Sequence, residues 1–240
     1  MRYLITSDIH ANWQALEAVL AAARGEYDEI LCCGDLVGYG ADPNRVVDWA
    51  RHEVTTVIRG NHDRACAFDE DLEWFTPVAR SAALWTRSAL TATNRQWLVE
   101  LARGPLGVRD FQLIHGSPRD EDEYVVSLGE FTAAFSHLSA RIAFFGHTHL
   151  QCACSWFGGR CIPHGAESRL DIRGEAAWLI NPGAVGQPRD GDPRAGYALF
   201  DTRSGEVSMM RVDYDMAAAR LAILNAGLPA RLGDRLLAGS

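Results

Sequence analysis

Short apolar runs alternate with amphipathic segments along the first part of the chain. The runs have the length and composition of buried strands, and the segments between them carry apolar residues at helical spacing. The predicted strands are 2–7, 30–33 and 54–58, and the predicted helices are 13–24 and 43–52. Asn12 and Pro43 suit the starts of the two helices. This βαβαβ order predicts a parallel sheet that is covered by helices.

The pattern changes twice along the rest of the chain. Residues 64–104 are predicted to be mainly helical, and we interpret them as an insertion that packs on the domain edge or forms a rim over the site. After residue 150 a run of strands indicates a second sheet stacked on the first. The further predicted helices are 77–90, 94–102, 127–138, 215–225 and 229–238, and the further strands are 111–116, 141–145, 151–156, 175–180, 196–201 and 206–213. Because no linker or repeat interrupts the sequence, we expect a single domain over residues 1–240.

Polar residues follow directly after the predicted strands. His147 and His149 end one buried run, and Asp8 and His10 end another with the same spacing. Residues at i and i+2 of an extended backbone project from one face, so each pair is expected to point into one site. Other strand ends carry Asp35, Asn61, His62, Asp63 and His115. Since the carboxyl ends of parallel strands meet at one edge of a sheet, these side chains are expected to converge.

A cluster of this composition predicts a metal centre. Burying so many polar side chains together is costly unless a charged group neutralises them. Two divalent cations fit the donors, with Asp35 as the bridging carboxylate. One site would be completed by Asp8, His10 and His149, and the other by Asn61, His115 and His147. Mixed imidazole, carboxylate and amide donors favour Mn, Fe, Zn, Co or Ni over Mg or Ca, with Mn or Fe preferred.

The charge and hydropathy of the chain limit the classes of molecule that it is expected to bind. The chain has 240 residues and a formal net charge of −8, with acidic and basic residues mixed along it. This composition argues against a nucleic-acid polymer or a membrane surface as partner. No window contains the roughly 18 apolar residues of a membrane span, and the N-terminal residues are predicted to form a strand rather than a signal peptide. An anionic substrate must therefore be attracted locally, and bound metal ions are the simplest means.

The cysteines favour a cytoplasmic location. Cys32 and Cys33 lie in an apolar run and are expected to be buried free thiols. A second group has a spacing that fits no standard zinc module, so we do not assign it to a zinc site. It consists of Cys152, Cys154, Cys161 and His164.

Five short motifs carry a resemblance to a known family. In chain order they are D-x-H at Asp8, G-D at Asp35, G-N-H-D at Asn61, H-G at His115 and G-H-x-H at His147. Together they resemble the calcineurin-like metallophosphoesterase superfamily over residues 3–150. Residues 181–189 resemble a loop of its small prokaryotic phosphodiesterase-type branch. The resemblance implies an α/β fold, a four-layer αββα sandwich in which two mixed β-sheets are flanked by helices.

The same resemblance implies a reaction. A metal-bound hydroxide would attack phosphorus in line, with Asp35 bridging two metal ions. His62 would stabilise or protonate the leaving oxygen as general acid. Asn61 and His62 are the expected substrate contacts. We therefore expect a metal-dependent phosphoric ester hydrolase that acts on a small phosphorylated substrate.

One departure from the family pattern bears on the substrate. Phosphoprotein phosphatases of this superfamily continue the G-D motif into a segment whose arginine grips phosphate, and Tyr39 stands at that position here. A bidentate phosphate clamp is therefore expected to be missing there. Phosphodiesters, or phosphoanhydrides such as dinucleoside polyphosphates, are favoured over phosphoserine proteins. Tyr39 and Arg189 are further candidate substrate contacts.

Three alternatives stay open at the level of sequence. The chain could be a catalytically idle metal-binding scaffold for a protein partner, since a fold alone does not establish activity. It could be a phosphomonoesterase or a protein phosphatase. A nuclease acting on DNA ends is the third alternative, and the acidic composition speaks against it.

Overall fold

The computed structural model describes residues 1–69 and 72–240. Its strands are β1 (Arg2–Thr6), β2 (Glu29–Cys32), β3 (Thr56–Arg59), β4 (Ala102–Arg103), β5 (Leu106–Val108), β6 (Phe111–Leu113), β7 (Ile142–Phe144), β8 (Cys152–Phe157), β9 (Arg160–His164), β10 (Arg169–Asp171), β11 (Ala177–Asn181), β12 (Ala195–Asp201) and β13 (Glu206–Val212). Its helices are α1 (Trp13–Ala22), α2 (Pro43–Glu53), α3 (Asn61–Ala67), α4 (Pro77–Ala89), α5 (Ala92–Glu100), α6 (Leu128–Phe135), α7 (Met216–Asn225) and α8 (Ala230–Ala238).

The strands form two mixed sheets. The first has the order β10-β13-β12-β1-β2-β3-β4, and the second has the order β5-β6-β7-β11-β8-β9. In the first sheet β1, β2, β3 and β4 run parallel, and β12 pairs with the other side of β1 in the antiparallel sense. In the second sheet β6, β7 and β11 run parallel. Each parallel set brings its carboxyl ends to one edge, where the polar motifs begin.

Alternating side chains of β1 show how the layers are stacked. Leu4 packs into a core that it shares with Leu16 of α1 and residues of α2. Its neighbours Tyr3 and Ile5 belong to a second core, which also contains Phe144 of the other sheet. A third core lies between α6 and the second sheet. Because strand side chains alternate between faces, helix–sheet–sheet–helix layering follows, and the predicted four-layer fold is confirmed.

The helices are short and begin with ordinary capping chemistry. The side chain of Asn12 accepts a hydrogen bond from the backbone N of Ala15 at 3.2 Å, as expected for an N-cap. Pro43 occupies the first turn of α2, and Ser127 opens α6 with a capping box. Within the described residues, the helices are all too short or too polar to cross a membrane.

The strands after residue 150 are divided between the two sheets. The expectation that they build the second sheet is only partly correct, since β8, β9 and β11 join it whereas β10, β12 and β13 extend the first. β12 and β13 extend the first sheet because β1 would otherwise be an edge strand. An unpaired edge strand exposes backbone donors and acceptors, and β12 satisfies them.

The predicted helical insertion contains α4 and α5, while its residues 70 and 71 lie outside the described part of the chain. Trp97 of α5 packs against the core beneath α1 and α2, and Trp85 of α4 packs against the core that includes Tyr39. Five residues between 72 and 79 line the cavity described below. This segment therefore packs against two of the cores and also contributes side chains to the wall of the cavity.

The cysteines fall into two groups. Cys154 and Cys161 form a disulfide between the antiparallel strands β8 and β9. Cys32 and Cys33 are buried free thiols, as predicted. Because this disulfide uses two of its four potential ligands, the group of Cys152, Cys154, Cys161 and His164 does not form a zinc site.

Substitution of Phe144 tests the core between the sheets. Phe144 is fully buried, and its ring centroid lies 5.7 Å from that of Phe111 and 5.6 Å from that of Phe200. Phe144→Ala should lower the free energy of unfolding by about 3–5 kcal/mol, measured by urea denaturation. Phe157→Ala is the matched control, because that ring is 59% exposed and its loss should cost about 0.5 kcal/mol or less. Equal losses in the two variants would contradict this account of the layers.

Candidate metal centre

Loops at the carboxyl ends of strands from both sheets meet at one edge of the sandwich. Their side chains form two groups in which the potential ligand atoms lie within 4.8 Å of one another, and Asp35 belongs to both groups. The first group is Asp8, His10, Asp35 and His149, and the second is Asp35, His115 and His147. Asn61 adjoins the second group, with its Oδ1 3.2 Å from both His115 Nε2 and His147 Nδ1. All of the residues that the sequence proposes as ligands are therefore neighbours.

The two oxygens of Asp35 have different environments. Oδ1 accepts a hydrogen bond from the backbone N of His62 at 2.8 Å. Oδ2 lies 3.5 Å from His10 Nε2 and 3.5 Å from His115 Nε2, one from each group. Among the described residues, Oδ2 is buried without a hydrogen-bond partner. A buried carboxylate oxygen in this position is costly unless a cation binds it, so the geometry fits a bridging ligand.

Three of the histidines are oriented by the backbone. Each donates from Nδ1 to a carbonyl oxygen, which fixes the tautomer and leaves the lone pair of Nε2 facing the centre. The three bonds are His10 to Val37 at 3.0 Å, His115 to Cys33 at 2.8 Å and His149 to Gln187 at 2.6 Å. This arrangement is the one that metal-binding histidines need.

His147 presents its other nitrogen. Its Nε2 donates to the carbonyl oxygen of Asp122 at 3.2 Å, and its Nδ1 lies 3.2 Å from Asn61 Oδ1. The ring of Tyr124 lies over that of His147, with the centroids 4.1 Å apart. The loop that contains Asp122 and Tyr124 therefore sets which atom of His147 is available as a ligand.

The first group contains a close contact between two ring nitrogens. His10 Nε2 and His149 Nε2 are 3.0 Å apart, and His149 Nε2 is 3.4 Å from Asp8 Oδ1. Because both rings carry their proton on Nδ1, two lone pairs face one another at Nε2. A divalent cation bound by both nitrogens would remove this repulsion, so the donors of this group also fit a metal ion.

Burial keeps most of these imidazoles neutral. It lowers the pKa of His10 and of His149 well below the usual range, and that of His147 to about 3. His115 differs. Burial acts to lower its pKa, but the charge and hydrogen bond of Asp35, the charge of Asp8 and the hydrogen bond to the Cys33 carbonyl oxygen together raise it to about 10. Burial acts to raise the pKa of Asp35, but His115 and other nearby histidines hold it well below its usual range. Neutral imidazoles offer the lone pairs that metal ions require.

The backbone at the ligands differs from the sequence prediction. The pairs Asp8/His10 and His147/His149 were expected on extended backbone, but β1 ends at Thr6 and β7 ends at Phe144. Asp8, His10, His147 and His149 all have positive φ, between 49° and 65°. Residues with side chains rarely adopt this left-handed conformation. The convergence of each pair therefore comes from tight loops and not from the alternation of a strand.

Asp63 is a positioning residue to which the sequence analysis gave no role. Its carboxylate accepts hydrogen bonds from the backbone N of Asp35 at 2.9 Å, of Val37 at 3.1 Å and of Gly60 at 3.0 Å. Burial, followed by the charge of Asp35, raises the pKa of Asp63 to about 7. The carboxylate ties the loop after β2 to the start of α3. The only signal in the sequence was its place at the end of the G-N-H-D motif.

Residues 181–189 support the first group from the second sheet. The side-chain amide of Asn181 donates to the Gly146 carbonyl oxygen at 3.0 Å and to Thr148 Oγ1 at 2.9 Å. The backbone N of Gly186 donates to the Asp8 carbonyl oxygen at 2.9 Å. This loop therefore fixes the backbone on both sides of the ligands.

A cavity of about 860 Å³ opens beside the centre. Asn61, His62 and His147 line it, and so do both further candidate contacts, Tyr39 and Arg189. The sequence analysis missed several other lining side chains, because none of them belongs to a motif. These are Arg64, Trp74, Phe75, Asp122, Tyr124 and Arg235.

Arg189 lies beside Tyr39, the residue that occupies the position of the phosphate-binding arginine of the family's phosphoprotein phosphatases. Its Nη2 donates to the Tyr39 hydroxyl at 3.3 Å and to Gln187 Oε1 at 3.2 Å. The guanidinium carbon lies 5.7 Å from the centroid of the Tyr39 ring, and that ring is 4.4 Å from the His62 ring. Position 39 itself carries no arginine, and a distant loop brings the guanidinium of Arg189 beside it.

The remaining histidines have local partners. His52 Nδ1 donates to the Asp48 carbonyl oxygen at 2.6 Å, His137 Nδ1 donates to that of Ala133 at 3.0 Å, and His164 Nε2 lies 3.1 Å from Ser155 Oγ. None of the three belongs to either group of potential ligands in the described residues.

The fold agrees with comparisons to known proteins. Residues 1–205 match the profile of the calcineurin-like phosphoesterase superfamily domain. The chain is 33% identical over 242 residues to an uncharacterized protein of Methanocaldococcus jannaschii, covering 98% of this chain and 97% of the relative. The chain therefore belongs to the calcineurin-like phosphoesterase superfamily, as its five motifs indicated.

Two solved structures have the same fold. A metallophosphoesterase from Sphaerobacter thermophilus is 39% identical, with a TM-score of 0.89 and coverage of 100% of this chain and 99% of that chain. A hypothetical protein of Pyrococcus horikoshii OT3 is 18% identical, with a TM-score of 0.78 and coverage of 100% and 98%. The second likeness concerns the fold alone.

Gly146→Ala tests how tightly the ligand loops are packed. A Cβ at Gly146 would lie 1.9 Å from Ser7 Oγ, 2.8 Å from Asp8 Oδ2 and 3.1 Å from Ser7 Cβ. The substitution should lower the free energy of unfolding by about 1–3 kcal/mol and reduce bound metal, measured by denaturation and by elemental analysis. Gly107→Ala is the matched control, since nothing lies within 4 Å of a Cβ there. A Gly146 variant that kept the stability and metal content of the control would refute this account.

Proposed function

We propose that this chain is a dimetal phosphoesterase that hydrolyses a phosphodiester or a nucleotide phosphoanhydride, such as a dinucleoside polyphosphate. The observation that carries the proposal is the shared position of Asp35 Oδ2 between two groups of donors beside a cavity. One ion would be held by Asp8, His10, Asp35 and His149, and the other by Asp35, Asn61, His115 and His147. The mixed donors favour Mn or Fe, with Zn, Co and Ni as other candidates.

The metal ions account for affinity towards an anion in an acidic protein. When bound, two divalent ions supply Lewis-acid activation of water and stabilisation of negative charge on a phosphoryl oxygen. The carboxylates of Asp8 and Asp35 balance only part of that charge. Local positive charge therefore outweighs the net charge of −8.

His62 is the proposed general acid. A Cβ at Gly38 would lie 2.6 Å from His62 Nδ1, so that nitrogen is packed against the loop after β2. Nε2 then remains to meet substrate in the cavity that His62 lines. His62 would stabilise or protonate the leaving oxygen from Nε2. Retention of this residue together with the whole donor set favours an enzyme over an idle scaffold.

Asn61 and Arg189 are the proposed contacts to the phosphoryl group. Asn61 lies beside the second group of donors, and the cavity exposes it to substrate. The Arg189 guanidinium, held by Tyr39 and Gln187, can offer the fork of donors that recognises phosphate oxygens.

The size of the cavity supports an extended small substrate. A volume of about 860 Å³ lies within the range of ordinary ligand pockets and exceeds the needs of a phosphate group alone. Aromatic side chains of Tyr39, Phe75 and Tyr124 line it. This lining favours a phosphodiester or phosphoanhydride that carries larger groups over a simple phosphomonoester.

We also propose a cytoplasmic location, which the buried free thiols of Cys32, Cys33 and Cys66 support and to which the Cys154–Cys161 disulfide is the opposing observation. Fractionation of cells that produce the full chain with a small tag is the direct measurement. Recovery in the cytoplasmic fraction is expected, and recovery outside it would overturn this proposal.

Asp35→Asn should abolish the shared site. The amide keeps the shape of the side chain but removes the negative charge that both ions would share. We expect fewer than two metal ions per chain and a loss of activity on bis-p-nitrophenyl phosphate with Mn of more than about 100-fold. Asp171→Asn, at an exposed carboxylate remote from the centre, is the control. An Asp35→Asn variant that still hydrolysed bis-p-nitrophenyl phosphate would contradict the proposal.

His62→Ala should separate proton donation from metal binding. Turnover is expected to fall by about 10²–10⁴-fold with metal content unchanged. The loss should be larger for the phenyl ester of thymidine 5′-phosphate than for its p-nitrophenyl ester, because the poorer leaving group needs the acid more. His52→Ala serves as the control. Loss of metal, or equal losses on the two esters, would show that His62 has another role.

A further inference from the structure

The last helix of the chain brings a second arginine to the cavity. Arg235 lies in the last turn of α8 and lines the same cavity as Arg189 and His62. Leu232 and Leu236 of this helix are buried in the core that contains Tyr39. The packing of α8 on this core therefore determines where Arg235 stands relative to the centre.

Neither arginine pairs with an acidic side chain of the described residues. Arg189 and Arg235 have no Asp or Glu oxygen within 4.0 Å there, whereas Asp122 on the cavity wall pairs with Arg64 at 2.9 Å. Arg189 Nε is buried and lacks a hydrogen-bond partner in the described part of the chain. Arg235 donates from Nε to a main-chain oxygen of Ser240, which leaves its two terminal nitrogens for other partners.

The two guanidinium groups also act on one another. Burial and the neighbouring charge of Arg189 lower the pKa of Arg235. Two like charges that share a cavity repel, and an anion that binds both converts this cost into a favourable interaction.

We infer that Arg189 and Arg235 form a second anion subsite, which binds a phosphate group adjacent to the one at the metal centre. This inference rests on the proposed function and deepens it. Arg189 is tied to the centre, since its backbone N donates to the His149 carbonyl oxygen at 3.3 Å and its Nη2 donates to the hydroxyl of Tyr39. Arg235 extends the positive surface from there. The substrate class is therefore a molecule with adjacent phosphates, a phosphoanhydride rather than a simple diester.

Arg235 is the proposed specificity determinant of this subsite. It lies in α8, beyond residues 1–205 that match the family profile. The residues that would hold the metal ions all precede it. Arg189 also precedes it, so the proposed subsite combines one residue of the profile-matched part of the chain with one residue of α8.

Binding of ADP and AMP to the metal-loaded protein tests the subsite directly. The two probes share a nucleoside and differ by one phosphate, and isothermal titration calorimetry measures their affinities independently of turnover. The wild-type protein should bind ADP at least about tenfold more tightly than AMP, as a charge-assisted contact to the extra phosphate predicts. Arg235→Ala should reduce this preference by about tenfold or more, and Arg235→Lys should restore part of it.

Arg231→Ala provides the control, because Arg231 is exposed on the same helix and does not line the cavity. Melting temperatures of all variants show whether α8 keeps its place, and Arg235→Gln replaces the alanine variant if that one unfolds. An unchanged ADP preference in the folded Arg235 variants would overturn the subsite, and so would equal affinities of the wild-type protein for ADP and AMP.

The subsite and the enzymatic activity can fail separately. An ADP preference that depends on Arg235, in a protein that hydrolyses no phosphate ester, would leave the subsite standing and refute the proposed function. Hydrolysis of bis-p-nitrophenyl phosphate by a protein with no preference for ADP would support the proposed function and refute the subsite.

Discussion

The Asp35 carboxylate connects the two halves of the centre, and the surrounding loops are arranged to hold it. One oxygen is fixed by the backbone N of His62, and the other lies 3.5 Å from an imidazole of each group. Asp63 in turn holds the backbone N of Asp35. His10 and Asp35 follow strands of the first sheet, whereas His115 follows a strand of the second. Asp35 Oδ2 therefore lies between donor groups that the two sheets supply.

The ligand loops are strained, and the sandwich offsets the strain. Five of the ligands have positive φ, namely Asp8, His10, Asp35, His147 and His149. Each such residue costs about 1–2 kcal/mol relative to ordinary backbone. Strands that are packed on both faces fix the ends of these loops, and close contacts at Gly60 and Gly146 leave no space for relaxation. The fold therefore sets the backbone geometry of the centre.

The motifs predicted the membership of the centre, because each ligand type directly follows an apolar run. The division of His147 and His149 between two groups also followed from the count of donors. Positive φ was not predictable, since nothing in the residue types Asp and His demands it. The start of helix α3 was also not predictable from residue types. Its first residues are those of the G-N-H-D motif, whose glycine and asparagine favour a turn as much as a helix start.

Long-range packing accounts for what the sequence could not show. Arg189 reaches Tyr39 from a distant loop, and Arg235 reaches the cavity because Leu232 and Leu236 anchor its helix near Tyr39. Both arginines lie far along the chain from the motif that they serve. The pairing of β12 with β1 likewise depends on an unpaired strand edge rather than on any local pattern.

Anomalous diffraction from crystals of the Mn-loaded protein would test the central claim most directly. The account predicts two peaks per chain, both bonded to Asp35 Oδ2, with His10 and His149 around one and His115 and His147 around the other. A single peak, or two peaks that do not share Asp35, would contradict it.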